Sequence, residues 1–224
     1  FNTIDPVTGK RSYYPVNVNG NTNWNFGGNW NKGGGNFKTG GNKKPGYGFN
    51  LDANGGKYIN FINGQKATTK SFSFNVGPTF SMEAEDKFDF NFTPYIGYNS
   101  SNSSLSTSID NNYFTYGARM NLEFDLPGGF EAATDINADL RERIKAFSTN
   151  TNLVIWNARL TKKLFKKDAG RISLVSNDIL DDNKGFTRTI NSTFVSDDRF
   201  QRISRYFLLK FEWSFNKSPG GDTK

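Results

Sequence analysis

Adjacent carboxylates are the residues of this sequence that come closest to a catalytic or metal-binding pattern. They occur as Asp181–Asp182 and Asp197–Asp198. Carboxylate oxygens bind Ca²⁺, and paired carboxylates hydrolyse glycosidic bonds when an apolar pocket raises the pKa of one of them. Neither the regular spacing of a calcium loop nor an apolar pocket is evident around these pairs. The sequence therefore predicts that both pairs are solvated residues of surface loops.

Other catalytic patterns are excluded by residue types that the sequence lacks. It contains no histidine and no cysteine, which removes Ser–His–Asp and Cys–His nucleophiles, the commonest transition-metal ligand and disulfides. The glycine-rich segment 33–41 fails as a P-loop, because that motif places a lysine directly after its last glycine and Gly41 follows Gly40. A flexible turn or a kink is predicted there. We expect a protein that is not an enzyme and has no cofactor or metal.

The basic net charge does not indicate a nucleic-acid partner. The formal charge is +7, and a basic balance can attract nucleic acid. Here the basic residues are scattered over predicted turns and one polar face, as at Lys43, Lys44, Lys162, Lys163, Lys166 and Lys167. No nucleic-acid binding is predicted.

A larger set of charged residues recurs at every second position within long alternating segments. A period of two places these side chains on one face of a sheet, where a buried charge must be hydrated or paired. The face would line a solute path or contact a plug domain, or it would be an ordinary solvated barrel interior. The predicted lumen-facing residues are Asp89, Arg119, Glu123, Asp125, Glu131, Asp135, Asp139 and Arg159.

The positions between the polar residues are apolar and rich in aromatic rings. The alternating segments run to about eleven residues or more, the length that a tilted strand needs to cross a bilayer, whereas soluble strands have about five or six residues. A mean hydropathy of −0.66 argues against membrane helices and is compatible with an all-β, antiparallel transmembrane β-barrel. The predicted lipid-facing residues are Phe72, Phe74, Phe88, Phe90, Phe92, Phe207, Leu209, Phe211, Trp213 and Phe215.

Nine long strands are predicted, and their connections alternate between short and long. Short connections are expected in outer-membrane barrels on the periplasmic side and long ones outside. The strands cover about 16–30, 36–51, 68–82, 87–99, 111–126, 129–141, 151–165, 170–179 and 201–215, with a shorter β-like stretch from Thr187 to Val195. The long connections are predicted near 52–66, 100–110, 141–150 and 180–200.

The strand count indicates part of a larger barrel. A single-chain bacterial barrel has an even number of strands, so an odd count means either that the predicted number is wrong by one or that upstream strands are missing, and the second interpretation is favoured. The sequence divides into a barrel segment over residues 1–215, predicted to be the C-terminal part of the larger barrel, and a polar tail over 216–224. The opening residues contain no recognisable signal peptide, which fits a mature fragment or a piece of a longer protein.

Several segments together resemble a known family. They are Tyr14–Asn21, Leu126–Phe130, Ser176–Asn183 followed by Thr187–Thr189, and Arg205–Phe211 followed by Trp213–Phe215. This pattern resembles the C-terminal barrel region of Bacteroidota outer-membrane β-barrel proteins related to TonB-dependent receptors. The resemblance implies a Gram-negative outer-membrane location and a larger receptor with a plug region and TonB-type energy coupling. Neither the plug nor a TonB-contacting segment is recognisable in these residues.

Three functions follow as alternatives. The first is the wall of a TonB-dependent-type receptor or transporter, whose loops capture a ligand or partner. The second is a structural barrel subunit of a larger outer-membrane complex, with surface lipoproteins as partners. The third is a soluble ligand-binding barrel with its apolar face inward, because periodicity alone does not say which face points outward. Membrane lipid is the expected surrounding for the first two.

Overall fold

A computed structural model describes residues 2–13, 15, 17–33, 45–62, 64–84, 87–105, 112–144, 150–165, 168–190 and 195–214. Phe215 and the polar tail lie outside these residues. Within them the chain is all β. The strands are β1 (Asn2–Ile4), β2 (Arg11–Tyr13), β3 (Thr22–Lys32), β4 (Gly46–Ile62), β5 (Gln65–Ala84), β6 (Phe88–Ser103), β7 (Tyr113–Leu126), β8 (Phe130–Arg141), β9 (Leu153–Leu164), β10 (Gly170–Asn177), β11 (Phe186–Ile190), β12 (Val195–Arg199) and β13 (Tyr206–Trp213).

One large antiparallel sheet contains, in chain order, nine strands of 8 to 20 residues, which are called the long strands here although β10 and β13 have only 8 residues each. It runs from β3 through β4 to β10 and ends at β13, and β1 and β2 join it beside β4 through a one-residue parallel pairing of Asn2 with Ile62. Strands β11 and β12 form a separate hairpin in the connection between β10 and β13. The predicted all-β, antiparallel class with about nine long strands is confirmed. Among the described residues no helix has the length and apolar character needed to cross a membrane.

The main difference from the predicted elements lies between β4 and β5. The predicted loop near 52–66 is strand: β4 continues to Ile62, and Ile62 pairs with Gln65 across a two-residue turn. The two residues between them in the sequence are Asn and Gly, the dipeptide that favours tight hairpins, and Gly64 adopts a φ of +78°. The strand predicted over 36–51 begins only at Gly46. Its first part falls in residues 34–44, outside those described.

The sheet has almost no hydrophobic core. Only Ile59, Ala67 and Ala84 are buried apolar residues in the described part of the chain. Large apolar side chains are exposed instead: Phe26 is 61% exposed and Leu209 is 78% exposed. Exposed apolar patches of this extent mark contact with a membrane or a protein.

The two edges of the sheet are its most exposed parts. Every residue of β3 and of β13 is exposed. Among the described residues β3 pairs only with β4, and β13 pairs only with β10. Each edge therefore offers one row of backbone N–H and C=O groups for further pairing.

Candidate functional site on the polar face of the sheet

The strand register brings the polar residues of successive strands into rows on one face. One row crosses four strands through register partners, from β6 to β9: Asn91, Asn121, Asp135 and Asn157. The Asn157 amide Nδ2 donates to Asp135 Oδ2 over 2.8 Å. The amide Oδ1 of Asn157 accepts a bond from the Asp178 backbone N–H at the end of β10. Carboxamides that both donate and accept thus connect the strands across this face.

An ionic cluster lies on the same face beside the short turn between β7 and β8. Glu131, which is 7% exposed, receives Arg159 Nη2 at 2.9 Å and Lys163 Nζ at 3.5 Å. Arg159 also approaches Glu123 at 3.3 Å, and Lys163 approaches Asp125 at 2.7 Å. Three carboxylates and two cations form one connected network.

The turn explains why this cluster forms. Pro127, Gly128 and Gly129 reverse the chain so that Asp125 pairs with Glu131. Two like charges would then face each other, a destabilising arrangement in a sheet. The cations of β9 lie diagonally next to Glu131, whose register partner is Thr161, and they compensate the repulsion. Repulsion between neighbouring carboxylates is therefore balanced by the next strand.

A polar cavity of about 610 Å³ opens on this face, near the start of β7 and the end of β8. Both of these strand ends adjoin long connections. The Tyr95 hydroxyl donates to Asp139 Oδ1 over 2.5 Å. Tyr95 lies across Gly117, where a Cβ would come within 2.7 Å of the tyrosine oxygen; only glycine leaves room for this contact. The Arg141 guanidinium lies 5.7 Å from the centre of the Tyr113 ring. Other polar lining residues are Asn50, Asp52, Asn75, Thr93, Thr115, Arg119 and Thr151.

All eight charged residues predicted from the sequence lie on this one face. Glu123, Asp125, Glu131 and Arg159 meet in the ionic cluster. Arg119 and Asp139 line the cavity, Asp135 bonds to Asn157, and Asp89 accepts a bond from the Asn91 amide. Sequence reasoning overlooked Lys163 and Tyr95 as members of these sites. The signal was present, since both lie at the alternate positions that carry the polar face.

The connection after β10 is fixed by its own acidic residues. Asp178 is 4% exposed, and its carboxylate accepts bonds from the backbone N–H groups of Asp182 and Asn183. Asp182 Oδ2 accepts from the Val154 N–H over 2.8 Å, and Asp181 Oδ1 accepts from the Arg205 N–H over 3.3 Å. The segment thus joins β9 to the start of β13. The Asp181–Asp182 pair therefore holds this connection in place through hydrogen bonds to backbone N–H groups. The described residues contain no group of three or more acidic side chains that could hold a metal.

Asp181 makes this attachment sensitive to acid. Hydrogen bonds from the Ser204 side chain and the Arg205 N–H hold the pKa of Asp181 below its ordinary value of 3.8. A depressed pKa contributes stability that is present above the unfolded-state pKa and is lost as the pH falls through the folded-state pKa. Protection of the Arg205 amide from hydrogen exchange, measured by NMR, is expected to be constant above pH 5 and to fall as the pH drops below about 4. In Asp181→Asn this pH step disappears; an unchanged step in that variant would assign it to another group.

A comparison with protein families gives an assignment for the whole sheet. The family model described as the outer membrane protein beta-barrel family matches residues 21–213. The chain belongs to the outer membrane protein beta-barrel family. The matched range contains all nine long strands, whereas the β1–β2 hairpin precedes it. No curated protein and no solved structure matches the chain.

Membership of the outer membrane protein beta-barrel family accounts for the features that a soluble sheet would not have. It implies an outer-membrane location. Strands of 11 to 20 residues, such as β3 and β5, have the length that a tilted strand needs to cross a bilayer. An exposed aromatic face beside a polar face with paired charges is the residue pattern of such barrels.

Proposed function

We propose that the nine long strands form part of the wall of an outer-membrane receptor or transporter of the TonB-dependent type. In this arrangement the polar face lines the lumen and the apolar face meets lipid. The observation that carries the proposal is the ionic network of Glu123, Asp125, Glu131, Arg159 and Lys163, which lies on one face only. Five charges connected in this way require hydration on their open side, which a lumen supplies and lipid does not.

The edge strands support a larger barrel. Successive antiparallel pairing makes the first and the ninth long strand, β3 and β13, run in the same direction. In a bilayer every backbone polar group must be paired, so these two edges require neighbours. An odd number of additional strands, from the same polypeptide or another chain, would close the barrel antiparallel with an even total.

The polar cavity supports ligand capture. It is lined by Tyr113, the first residue of β7, by Arg141, the last residue of β8, and by Thr151 from the long connection to β9. Long connections are extracellular in outer-membrane barrels. The cavity would therefore open toward the cell exterior, where Asp139, Arg119 and the neighbouring amides offer hydrogen bonds to a polar ligand.

A structural subunit of a larger complex is the second candidate, and the same exposed edges favour it. If another polypeptide supplies the missing strands, the protein would purify from outer membranes in a fixed ratio with that partner or with surface lipoproteins. If the same polypeptide supplies them, the intact mass would lie far above 25.2 kDa. Intact mass and stoichiometry of the purified native protein distinguish the two cases.

Cysteine accessibility tests the assignment of the two faces. The sequence contains no cysteine, so single cysteines can be placed on adjacent residues of β7 with little background. Asn121→Cys, on the polar face, is expected to react with a charged, water-soluble thiol reagent in native outer membranes. Leu122→Cys, on the apolar face, is expected to resist it and to react with a lipid-soluble maleimide. The opposite pattern would contradict a membrane wall and favour a barrel with its apolar face inside.

A further inference from the structure

A shallow basin interrupts the aromatic surface of the apolar face. Across β8, β9 and β10 the register partners Thr134, Ala158 and Ser176 present small side chains, and Ala132 adds another. Large apolar side chains surround these small ones and enclose a volume of about 430 Å³. The surrounding residues are Leu122, Phe124, Trp156, Leu160, Leu174 and Phe207.

The polar atoms in this basin are turned away from its surface. The Trp156 indole Nε1 donates to Thr134 Oγ1 over 2.8 Å, and Thr134 Oγ1 donates to the Asn157 carbonyl over 2.8 Å. The Ser176 hydroxyl oxygen is buried beneath its neighbours. The accessible surface of the basin is therefore almost entirely apolar, and it can pack against a hydrocarbon chain.

A lysine lies on the same strand and face, toward the short turn. Lys162 follows Ala158 by four residues, about 13 Å along a strand. Its ammonium donates to the Gly128 carbonyl and lies 4.3 Å from the centre of the Phe130 ring. An ammonium has three donors, so donors remain for a further acceptor.

The basin and the lysine lie at depths that one leaflet of a bilayer spans. A separation of about 13 Å along a strand tilted by about 40° corresponds to about 10 Å along the bilayer normal, and half of the hydrocarbon core measures about 15 Å. With Lys162 at the headgroup level beside the turn 127–129, Ala158 lies within the acyl-chain region of the same leaflet. A cation at the interface with an apolar basin along the same strand is complementary to an anionic headgroup and its acyl chain.

We propose that this basin and Lys162 form a specific site for one anionic glycerophospholipid of the periplasmic leaflet. The phosphate contacts the Lys162 ammonium, and one acyl chain fills the basin over Ala158. This inference rests on the proposed contact of the apolar face with lipid. It adds that one class of lipid binds at the basin and Lys162. Charge complementarity at Lys162 favours a phospholipid over a second copy of the chain as the occupant.

Photo-crosslinking tests the site in the full-length protein. The protein is placed in phosphatidylethanolamine nanodiscs that contain a small fraction of phosphatidylglycerol with a photoreactive acyl chain, and crosslinked peptides are mapped by mass spectrometry. Crosslinks are expected to concentrate on β8, β9 and β10 relative to β5 and β6. A phosphatidylethanolamine probe with the same acyl chain is expected to show about five-fold less enrichment there, the effect typical of one lysine near an anionic headgroup.

Two variants and two matched controls separate the headgroup contact from the acyl contact. Lys162→Gln is expected to remove the preference for phosphatidylglycerol, and Ala158→Phe is expected to reduce the enrichment for both probes. Lys87→Gln changes a lysine at another short connection, between β5 and β6, and Ala118→Phe fills a small position on β7 outside the basin. Both controls are expected to label like the wild type.

Each other outcome overturns a defined part of the inference. Equal labelling along the whole apolar face would leave the membrane wall intact and overturn the site. A preference that survives Lys162→Gln would overturn the headgroup contact. Absence of basin labelling together with a doubled particle mass would show that a second copy covers it. Labelling confined to the polar face would overturn the proposed wall itself.

Discussion

Met120→Arg is expected to lower the free energy of unfolding by about 2–4 kcal/mol. This is the range for a basic side chain on the lipid face near the middle of a transmembrane barrel strand. Met120 lies near the centre of β7 and pairs with Phe92 and Ile136 on the apolar face. The guanidinium would be forced into hydrocarbon or would have to reach a distant interface. Equilibrium urea unfolding of the protein folded in phospholipid vesicles measures the loss.

The adjacent residue provides the control. Asn121 is the next residue of the same strand but lies on the polar face, where its register partner is Asp135. Asn121→Arg is expected to stay within about 0.5 kcal/mol of the wild type, as surface substitutions usually do. A larger loss at Asn121 than at Met120 would reverse the assignment of the two faces.

Replacing Glu131 with glutamine is expected to lower the unfolding free energy by about 1–3 kcal/mol, the range for hydrogen bonds to charged groups and for partners left unsatisfied. Glu131 is the most buried member of the ionic cluster and the one that contacts both cations. Glutamine keeps the shape of the side chain but removes the charge. Arg159 and Lys163 would then share only the more exposed Glu123 and Asp125.

An exposed ion pair provides the comparison for Glu131. Lys210 and Glu212 form a 2.7 Å pair on β13 in which both side chains are about half exposed. Exposed pairs contribute little to stability, so Glu212→Gln is expected to leave the unfolding midpoint unchanged. If both variants shift the midpoint equally, the burial of Glu131 has no special role.

Sequence periodicity predicted the strands and their faces well where alternation was strong. The span predicted for β7 differs from the observed strand by two residues at its start, and the alternating apolar and polar residues of β6 and β13 lie on opposite faces of the sheet. The prediction failed where composition outweighed alternation. Glycines and asparagines around 52–66 indicated a loop, although β4 and β5 continue their pairing as far as Ile62 and Gln65.

The partners of the charged residues were not predictable in the same way. Lys163 was assigned to the scattered basic residues, because nothing along β9 shows that Asp125 and Glu131 lie next to it. Tyr95 and Asp139 are 44 residues apart in the sequence. Their contact depends on the register of three strands and on the space that Gly117 leaves.

Strands with one apolar and one polar face follow directly from the amino-acid pattern, because side-chain direction in a strand depends only on whether a position is odd or even. The folded sheet is needed to show which charges meet, where the small residues of neighbouring strands align into a basin, and which strands remain at the edges. These features depend on register between strands, and register is set by turns and by contacts between residues distant in the sequence.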